Sequence, residues 1–393
     1  MAIKRIAIVY GSVAGVGGLG LQAATAISGL ARTGCEVHAF GPGYKSVWPF
    51  VPPPANVIWH ISPPGLSRWR SRFTMLRWRT GELQLKNDLM LGRWAALQIA
   101  KLKPELCYTF TQVGFETLRW CNSAGVPAIL DNPNGHIRNY RSVYDSESSK
   151  WGCRAYAGHP VMPMIERVEE EYELATRIRV STAWSRRSMA DHGVNNTKLS
   201  VLEQPLDLTR FCCSPANKTA VGPLRVCFVG LLDLRKGFVY LLRAIRLVGL
   251  KRIVLDIVGA TGDRCSKALL ARESSGLQMT CAPGDPAPAY RKAEVAVIPS
   301  LEDGQPFVTG EAMASGLPVV VSSACGSAEW VKEGSTGWIV EPASAENIAS
   351  ALDCALSNRE KLVSMGLEGR RVTEGRAGPH AEENFSAWVI MQS

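Results

Sequence analysis

No apolar run in this 393-residue chain approaches the ~20 residues needed to cross a bilayer; VLDIVG and LPVVV are typical of its longest. There is no Cys-x-x-Cys repeat, so no metal knuckle is present. The eleven cysteines are spread too thinly for a disulfide scaffold, with only Cys212 and Cys213 adjacent, and a reducing compartment is expected. The opening MAIKRIAIVYGSVAG puts a basic pair before a short apolar run that ends in glycines. It lacks the long apolar core of a signal peptide and reads as a first strand. No Gly-Lys-Ser/Thr follows that strand, the glycines are out of dinucleotide-fingerprint order, and Gly41, Pro42 and Gly43 stand where an acidic ribose contact belongs. A Walker loop and a dinucleotide site are thereby set aside. Nor is there a nucleic-acid-binding motif, and no nucleic-acid partner is expected. The expectation is a cytoplasmic protein, associated with the cytoplasmic face of a membrane.

Hydrophobic residues make up 46% of the chain and charged residues 20%, enough to build a large core. Lys and Arg number 44 against 35 Asp and Glu, a net charge of +9 that favours anionic partners. IKRIAIVY, a glycine loop, the Ala-rich stretch LQAATAISGLARTG and CEVHAF read as strand, loop, helix, strand, with Gly34 as a C-cap. Residues 42–65, rich in Pro and aromatics, read as a surface excursion, and LCYTF and VPAIL as buried strands. The pattern breaks at about residues 203–223 and restarts with LRVCFVG, GFVYLLRAIRLVG and KRIVLDIVG. This predicts an α/β domain over 1–205, a linker over 206–222, a second α/β domain over 223–375 and a C-terminal helix over 376–393. Phe385 and Trp388 give that last helix an apolar stripe suited to packing back on the first domain.

Four sets of residues carry candidate chemistry. Gly15, Gly17, Gly18 and Gly20 follow the first strand, where they serve either a tight turn or an anion held near a helix N-terminus. Arg235 and Lys236 stand between a strand and a helix and are either a solvated turn or a diphosphate clamp. Asp303 and Glu311 bracket the next such junction, as a helix cap and solvated face or as acceptors for sugar and ribose hydroxyls. Glu329 precedes the final turn and strand, and adds little by itself.

Together these stretches resemble the retaining family 4 glycosyltransferases, the group 1 glycosyl transferases. Gly230 through Gly237 follow the family's strand, Gly, Arg/Lys-Lys-Gly, helix pattern. Pro299 through Val319 follow Pro-Ser, carboxylate, seven residues, Glu-Ala-Met-Ala-x-Gly-x-Pro-Val. Asp207 and Phe211 match the domain junction, and Gly17-Gly18 the N-terminal double glycine. The resemblance implies an α/β fold of the GT-B type, two Rossmann-like αβα domains facing each other across a cleft. It implies a nucleotide diphosphate sugar as donor, no cofactor and no metal. On this basis Arg235 and Lys236 hold the diphosphate beneath Gly17 and Gly18, Glu311 the ribose and Asp303 the transferred sugar, with Gly304, Phe307 and Glu329 around the donor. His136 and Arg138, in AILDNPNGHIRNYRS, match a group that faces the sugar, and Asp131 is a further candidate from the same stretch. Two departures stand out: the first carboxylate is Asp, and Gly304-Gln305-Pro306 replaces Gly-Phe-Gly, where Pro306 has no N–H to offer.

Residues 66–80, LSRWRSRFTMLRWRT, carry five arginines among Trp69, Phe73 and Trp78 and no acid. That pattern suits an anionic membrane surface, with an acceptor-phosphate site or a protein contact as the other readings. The expected activity is transfer of a sugar to a hydroxyl of a glycan or lipid-linked acceptor, in polysaccharide or glycolipid biosynthesis. The rival expectations are a sugar-nucleotide-binding partner without turnover, and an epimerase or phosphorylase of the same fold.

Overall fold

The short β-branched runs become two parallel sheets in a computed structural model that describes residues 4–45, 54–63, 80–153, 158–213 and 222–392. The first sheet contains β1 (Arg5–Val9), β2 (Glu36–Gly41), β3 (Val57–Ile61), β4 (Leu106–Phe110), β5 (Ala128–Asn132), β6 (Arg177–Val180) and β7 (Leu199–Val201). Their order is β3-β2-β1-β4-β5-β6-β7, with every pairing parallel. β4 and β5 are buried at each residue, as strands must be when helices cover both faces of a parallel sheet. The helices of this part are α1 (Gly17–Arg32), α2 (Thr80–Leu102), α3 (Phe115–Ala124), α4 (Ile137–Trp151), α5 (Met162–Leu174) and α6 (Ala183–Asp191).

The second sheet repeats the plan with β8 (Leu224–Val229), β9 (Ile253–Val258), β10 (Met279–Ala282), β11 (Val295–Ile298), β12 (Val319–Ser322) and β13 (Gly337–Val340). Their order is β10-β9-β8-β11-β12-β13, again all parallel. Helices α7 (Phe238–Val248), α8 (Arg264–Glu273), α9 (Ala287–Lys292), α10 (Phe307–Ala314), α11 (Ala345–Ser357) and α12 (Leu362–Ala377) accompany it. In each sheet the winding reverses between the first strand and the fourth, a topological switch point.

The chain forms two compact units: Met1–Arg141, Tyr156–Pro205 and Pro379–Ser393 make one, Ser142–Ala155 and Leu206–Gly378 the other. The division differs from the sequence expectation at residues 142–155, which lie inside the first stretch of sequence but pack with the second unit. Their partners explain it: Tyr144 OH donates to Asp233 at 3.3 Å, and Tyr240 OH donates to Glu147 at 2.8 Å. Part of the expected linker is also core, since Phe211 is buried and its carbonyl accepts from Arg370. The last helix, α13 (Pro379–Ile390), lies on α1 of the first unit. Phe385 and Val389 enter that core, Ser386 Oγ donates to Gly29 O at 2.8 Å, and Arg32 pairs with Glu382 at 2.9 Å.

Two further expectations are corrected. VIWHI, within the stretch read as a surface excursion, is edge strand β3; with one edge unpaired and its residues only partly covered, its burial lacks the clean alternation that marks a strand. Against the expectation of a reducing compartment, Cys153 and Cys265 form a disulfide within the second unit across a separation of 112 residues. Among the described residues no helix is long and apolar enough to cross a membrane.

Candidate functional site

β8 and β11 lie side by side at the switch point of the second sheet, and ligands of such sheets bind outside the carboxyl ends of the strands there. From β8 the chain passes through Gly230 to a 3-10 turn, Leu234–Lys236, capped by Asp233, whose carboxylate accepts from the Lys236 N–H at 2.9 Å. Gly237 closes the turn at φ +68°, and a Cβ there would stand 2.0 Å from the Pro299 carbonyl oxygen. Lacking a side chain, it lets the β8 loop lie directly on the end of β11. The Leu301 N–H donates to Arg235 O at 2.7 Å and ties the two loops together.

Two cations from one strand end thus meet two carboxylates from its neighbour. Arg235 Nη1 donates to Glu302 O at 2.5 Å and to Glu302 Oε2 at 3.3 Å, and lies 3.6 Å from Asp303 Oδ2. Lys236 Nζ pairs with the Asp303 carboxylate. Glu302 and Asp303 are 1% and 5% exposed, a placement that carboxylates tolerate only when paired. Burial pushes the Asp303 carboxyl up, but Lys236 and Arg235 outweigh it and hold the group below the ordinary carboxylate range. Glu311, on α10, accepts from Tyr290 OH at 3.1 Å, and burial raises its carboxyl to about 7. Gly304 lies in a buried loop, Pro306 precedes α10 without a side-chain cap, and half-buried Phe307 opens the helix. Glu329 is exposed in the turn Gly326–Trp330, where its carbonyl accepts from Arg376 at 3.4 Å.

In the first unit Gly17 and Gly18 open α1 after β1. Both are exposed, with nothing within 4 Å of where a Cβ would stand, and Val16 gives the first turn no side-chain cap. The tight turn itself depends on Gly20, where a Cβ would be 2.2 Å from Val13 O. His136 follows β5 and is buried. Its N–H donates to Ser188 Oγ at 2.9 Å, its Nδ1 accepts from the Arg138 N–H at 3.2 Å, and its ring stacks on His192 at 4.3 Å. Burial and then His192 lower the imidazole to about 4 against the pull of Glu169, so at neutral pH it is uncharged with its hydrogen on Nε2. The Arg138 guanidinium is committed to Glu169, with Nη2 at 2.6 Å from Oε2. Asp131 does not reach a surface; it is fully buried, held by Arg179 at 3.1 Å, Gln22 at 2.9 Å and Tyr108 at 2.5 Å.

The structure therefore brings Arg235, Lys236 and Asp303 into one cluster and adds Glu302, a member that motif reading passed over. Its signal was available: two consecutive acids follow one buried strand, and two consecutive cations follow the strand beside it. Tyr290 and Tyr144 had no such signal, since packing alone brings them to Glu311 and Asp233. The arginine-aromatic stretch 66–80 lies outside the described residues, apart from Thr80 at the start of α2. Among the described residues no group of three His, Cys, Asp or Glu side chains is placed to hold a metal ion.

Residues 223–358 match the family model described as glycosyl transferases group 1. The chain is 28% identical over 234 residues to a D-inositol 3-phosphate glycosyltransferase of Nocardia farcinica, covering 54% of this chain and 51% of that one. It is 33% identical over 150 residues to an uncharacterized glycosyltransferase of Methanocaldococcus jannaschii, covering 35% and 38%. The chain spans about half the length, 51% and 56%, of the first two curated relatives it matches. Among solved structures, sucrose-phosphate synthase from Thermosynechococcus elongatus superposes with a TM-score of 0.75 at 20% identity, covering 99% of this chain and 98% of the other. The Anabaena protein HepE, in complex with UDP-glucose, superposes with a TM-score of 0.69 at 14% identity, covering 98% of each chain. The fold is thereby GT-B, two Rossmann-like αβα domains, in a chain related to glycosyltransferases of that fold.

Proposed function

We propose that this chain transfers a sugar from a nucleotide diphosphate sugar to a hydroxyl of a glycan or lipid-linked acceptor, with retention of anomeric configuration. The observation that carries the reading is the cluster of Arg235, Lys236 and Asp303 at the β8–β11 switch point, with Glu311 on the helix that follows. Cations and hydroxyl acceptors in that arrangement suit a donor with a charged middle and a polyhydroxylated group on either side. Arg235 and Lys236 take the diphosphate and stabilise the negative charge that grows on it as it leaves. Glu311 accepts from ribose hydroxyls, Asp303 from the transferred sugar, and Gly304, Phe307 and Glu329 complete the donor side.

On the first unit, Gly17 and Gly18 leave the start of α1 open for a phosphate group to approach its backbone amides. His136, neutral with Nε2–H, is in the form that donates to a sugar hydroxyl, and Arg138 is placed beside it by the Nδ1 contact. The leaving diphosphate itself takes the acceptor's proton, so catalysis is chiefly positioning and leaving-group stabilisation, without a metal or cofactor. Residues 66–80 bring the chain to an anionic membrane on its cytoplasmic face, in polysaccharide or glycolipid synthesis.

The test is incubation of the purified chain with labelled nucleotide sugars and with Lys236→Ala. Transfer or slow hydrolysis by the wild type, reduced at least a hundredfold in the variant, is the expected result. Tight binding without either reaction would identify a non-catalytic partner instead. Replacing the arginines of 68–79 with Gln should weaken sedimentation with anionic vesicles, most at low salt; unchanged partitioning would remove the membrane role.

A further inference from the structure

The cations at the β8–β11 junction are already answered by acids of the same chain. Arg235 is held by the Glu302 carbonyl and carboxylate, and Lys236 by Asp303, so two positive and two negative groups share this corner. Asp233 is a third acid beside them, engaged with the Lys236 N–H and with Tyr144. A diphosphate placed on Arg235 and Lys236 brings its own negative charge against a carboxylate that is buried and cannot retreat into water.

We infer that Asp303 is an internal competitor for the donor's diphosphate, an inference that rests on the donor reading above. Arrival of the donor moves the Lys236 ammonium from Asp303 to a phosphate oxygen. The released carboxylate then accepts a hydrogen bond from a hydroxyl of the sugar, which replaces the partner it lost. Once the sugar leaves with the acceptor, Asp303 keeps only Ser300 and the more distant Arg235, reclaims Lys236 and drives the nucleoside diphosphate out. Intact donor and spent nucleotide are thus told apart by a carboxylate whose lost Lys236 contact the sugar hydroxyl replaces. The Asp303 carboxyl is held below its ordinary range by Lys236 and Arg235 against its burial, which fits a pair that carries real attraction before the ligand comes.

The experiment is calorimetric titration of the wild type, Asp303→Asn and Lys236→Ala with UDP, GDP and ADP. The diphosphate that binds the wild type should bind Asp303→Asn on the order of tenfold tighter, and Lys236→Ala weaker by at least as much. Unchanged or weaker binding by Asp303→Asn would overturn the inference, because a carboxylate that merely props up the site would loosen the nucleotide when neutralised. A wild type that binds none of the three would overturn the donor reading, and the inference would fall with it. If Asp303→Asn does not fold, a crystal structure of the wild type with its bound diphosphate decides. Lys236 Nζ should sit on a phosphate oxygen, away from Asp303, and a retained ion pair would refute the exchange.

Discussion

Gly237 and Gly334 both adopt φ +68°, yet they should respond very differently to the same substitution. Alanine at either position must occupy the left-handed region, at a cost of about 1 kcal/mol. At Gly334 nothing lies within 4 Å of the added Cβ, so the cost ends there. At Gly237 the new atom would stand 2.0 Å from Pro299 O and 2.9 Å from Pro299 C. Those are backbone atoms at the end of β11, which cannot rotate aside, and forcing them apart adds about 1–3 kcal/mol. Gly237→Ala should therefore lose two to four times as much stability as Gly334→Ala, roughly 2–4 against 1 kcal/mol. Equilibrium urea unfolding followed by tryptophan fluorescence measures both, and Trp330 and Trp338 are buried reporters in the second unit. The displaced loop carries Arg235 and Lys236, so Gly237→Ala should also weaken binding of a nucleoside diphosphate, while Gly334→Ala should not. Equal losses of stability in the two variants would mean that the β8 loop is not seated on β11, and the geometry of the cluster would fail with it.

Three other outcomes follow from the structure. Burial raises the Glu311 carboxyl to about 7, so its contribution to stability is complete below the ordinary carboxylate range near 4.5 and is lost as pH climbs from there to 7. Glu311→Gln should flatten that loss in a melting-temperature series over pH 4–8 while weakening sugar-nucleotide binding on the order of tenfold; a steeper loss or unchanged affinity would contradict its assigned place. His136 is shifted the other way, to about 4, so its contribution is present above 6.5 and disappears as pH falls towards 4. The same pH series on His136→Gln should show a smaller acid loss than the wild type. Cys265→Ser opens a loop spanning 112 residues of sequence and should cost up to about 4 kcal/mol in oxidising buffer and little under reductant. Identical unfolding curves for variant and wild type in both buffers would show that the disulfide contributes nothing.

Much of the second unit was legible because its chemistry is local. A buried strand, a sharp turn and a helix fit within one unbroken stretch, residues 224–248 or 295–314, so Arg235, Lys236, Asp303 and Glu311 reveal their placement after strand ends through their immediate neighbours. Central strands such as β4, β5, β11 and β12 were equally plain, since burial on both faces demands an unbroken apolar run. Two edge strands were not. β3 and β10 have one neighbour each, and β10 is exposed at three of its four residues, so nothing forces a readable pattern on them. Residues 142–155 were assigned to the wrong unit for a related reason. Sequence continuity argues for the first domain, while Tyr144 and Glu147 are claimed by Asp233 and Tyr240, some ninety positions away, and no local rule shows such a partner.

Charge was the least legible of all, because a sequence displays its ionisable groups without showing which of them answer one another. The net +9 and the adjacent pair Arg235-Lys236 invite the picture of a positive socket waiting for phosphate. The folded site is instead balanced, two cations against Glu302 and Asp303. If Asp303 competes for Lys236 as inferred, binding there is an exchange of partners: the energy a diphosphate gains from Lys236 is offset by what Asp303 loses, and a sugar hydroxyl restores part of it. A socket of bare cations would hold the spent nucleotide as firmly as the donor and would turn over slowly. A carboxylate that competes for Lys236 would weaken both, and the product more. Asp303 is suited to that role because it reaches Lys236 across the junction while remaining buried at the end of β11.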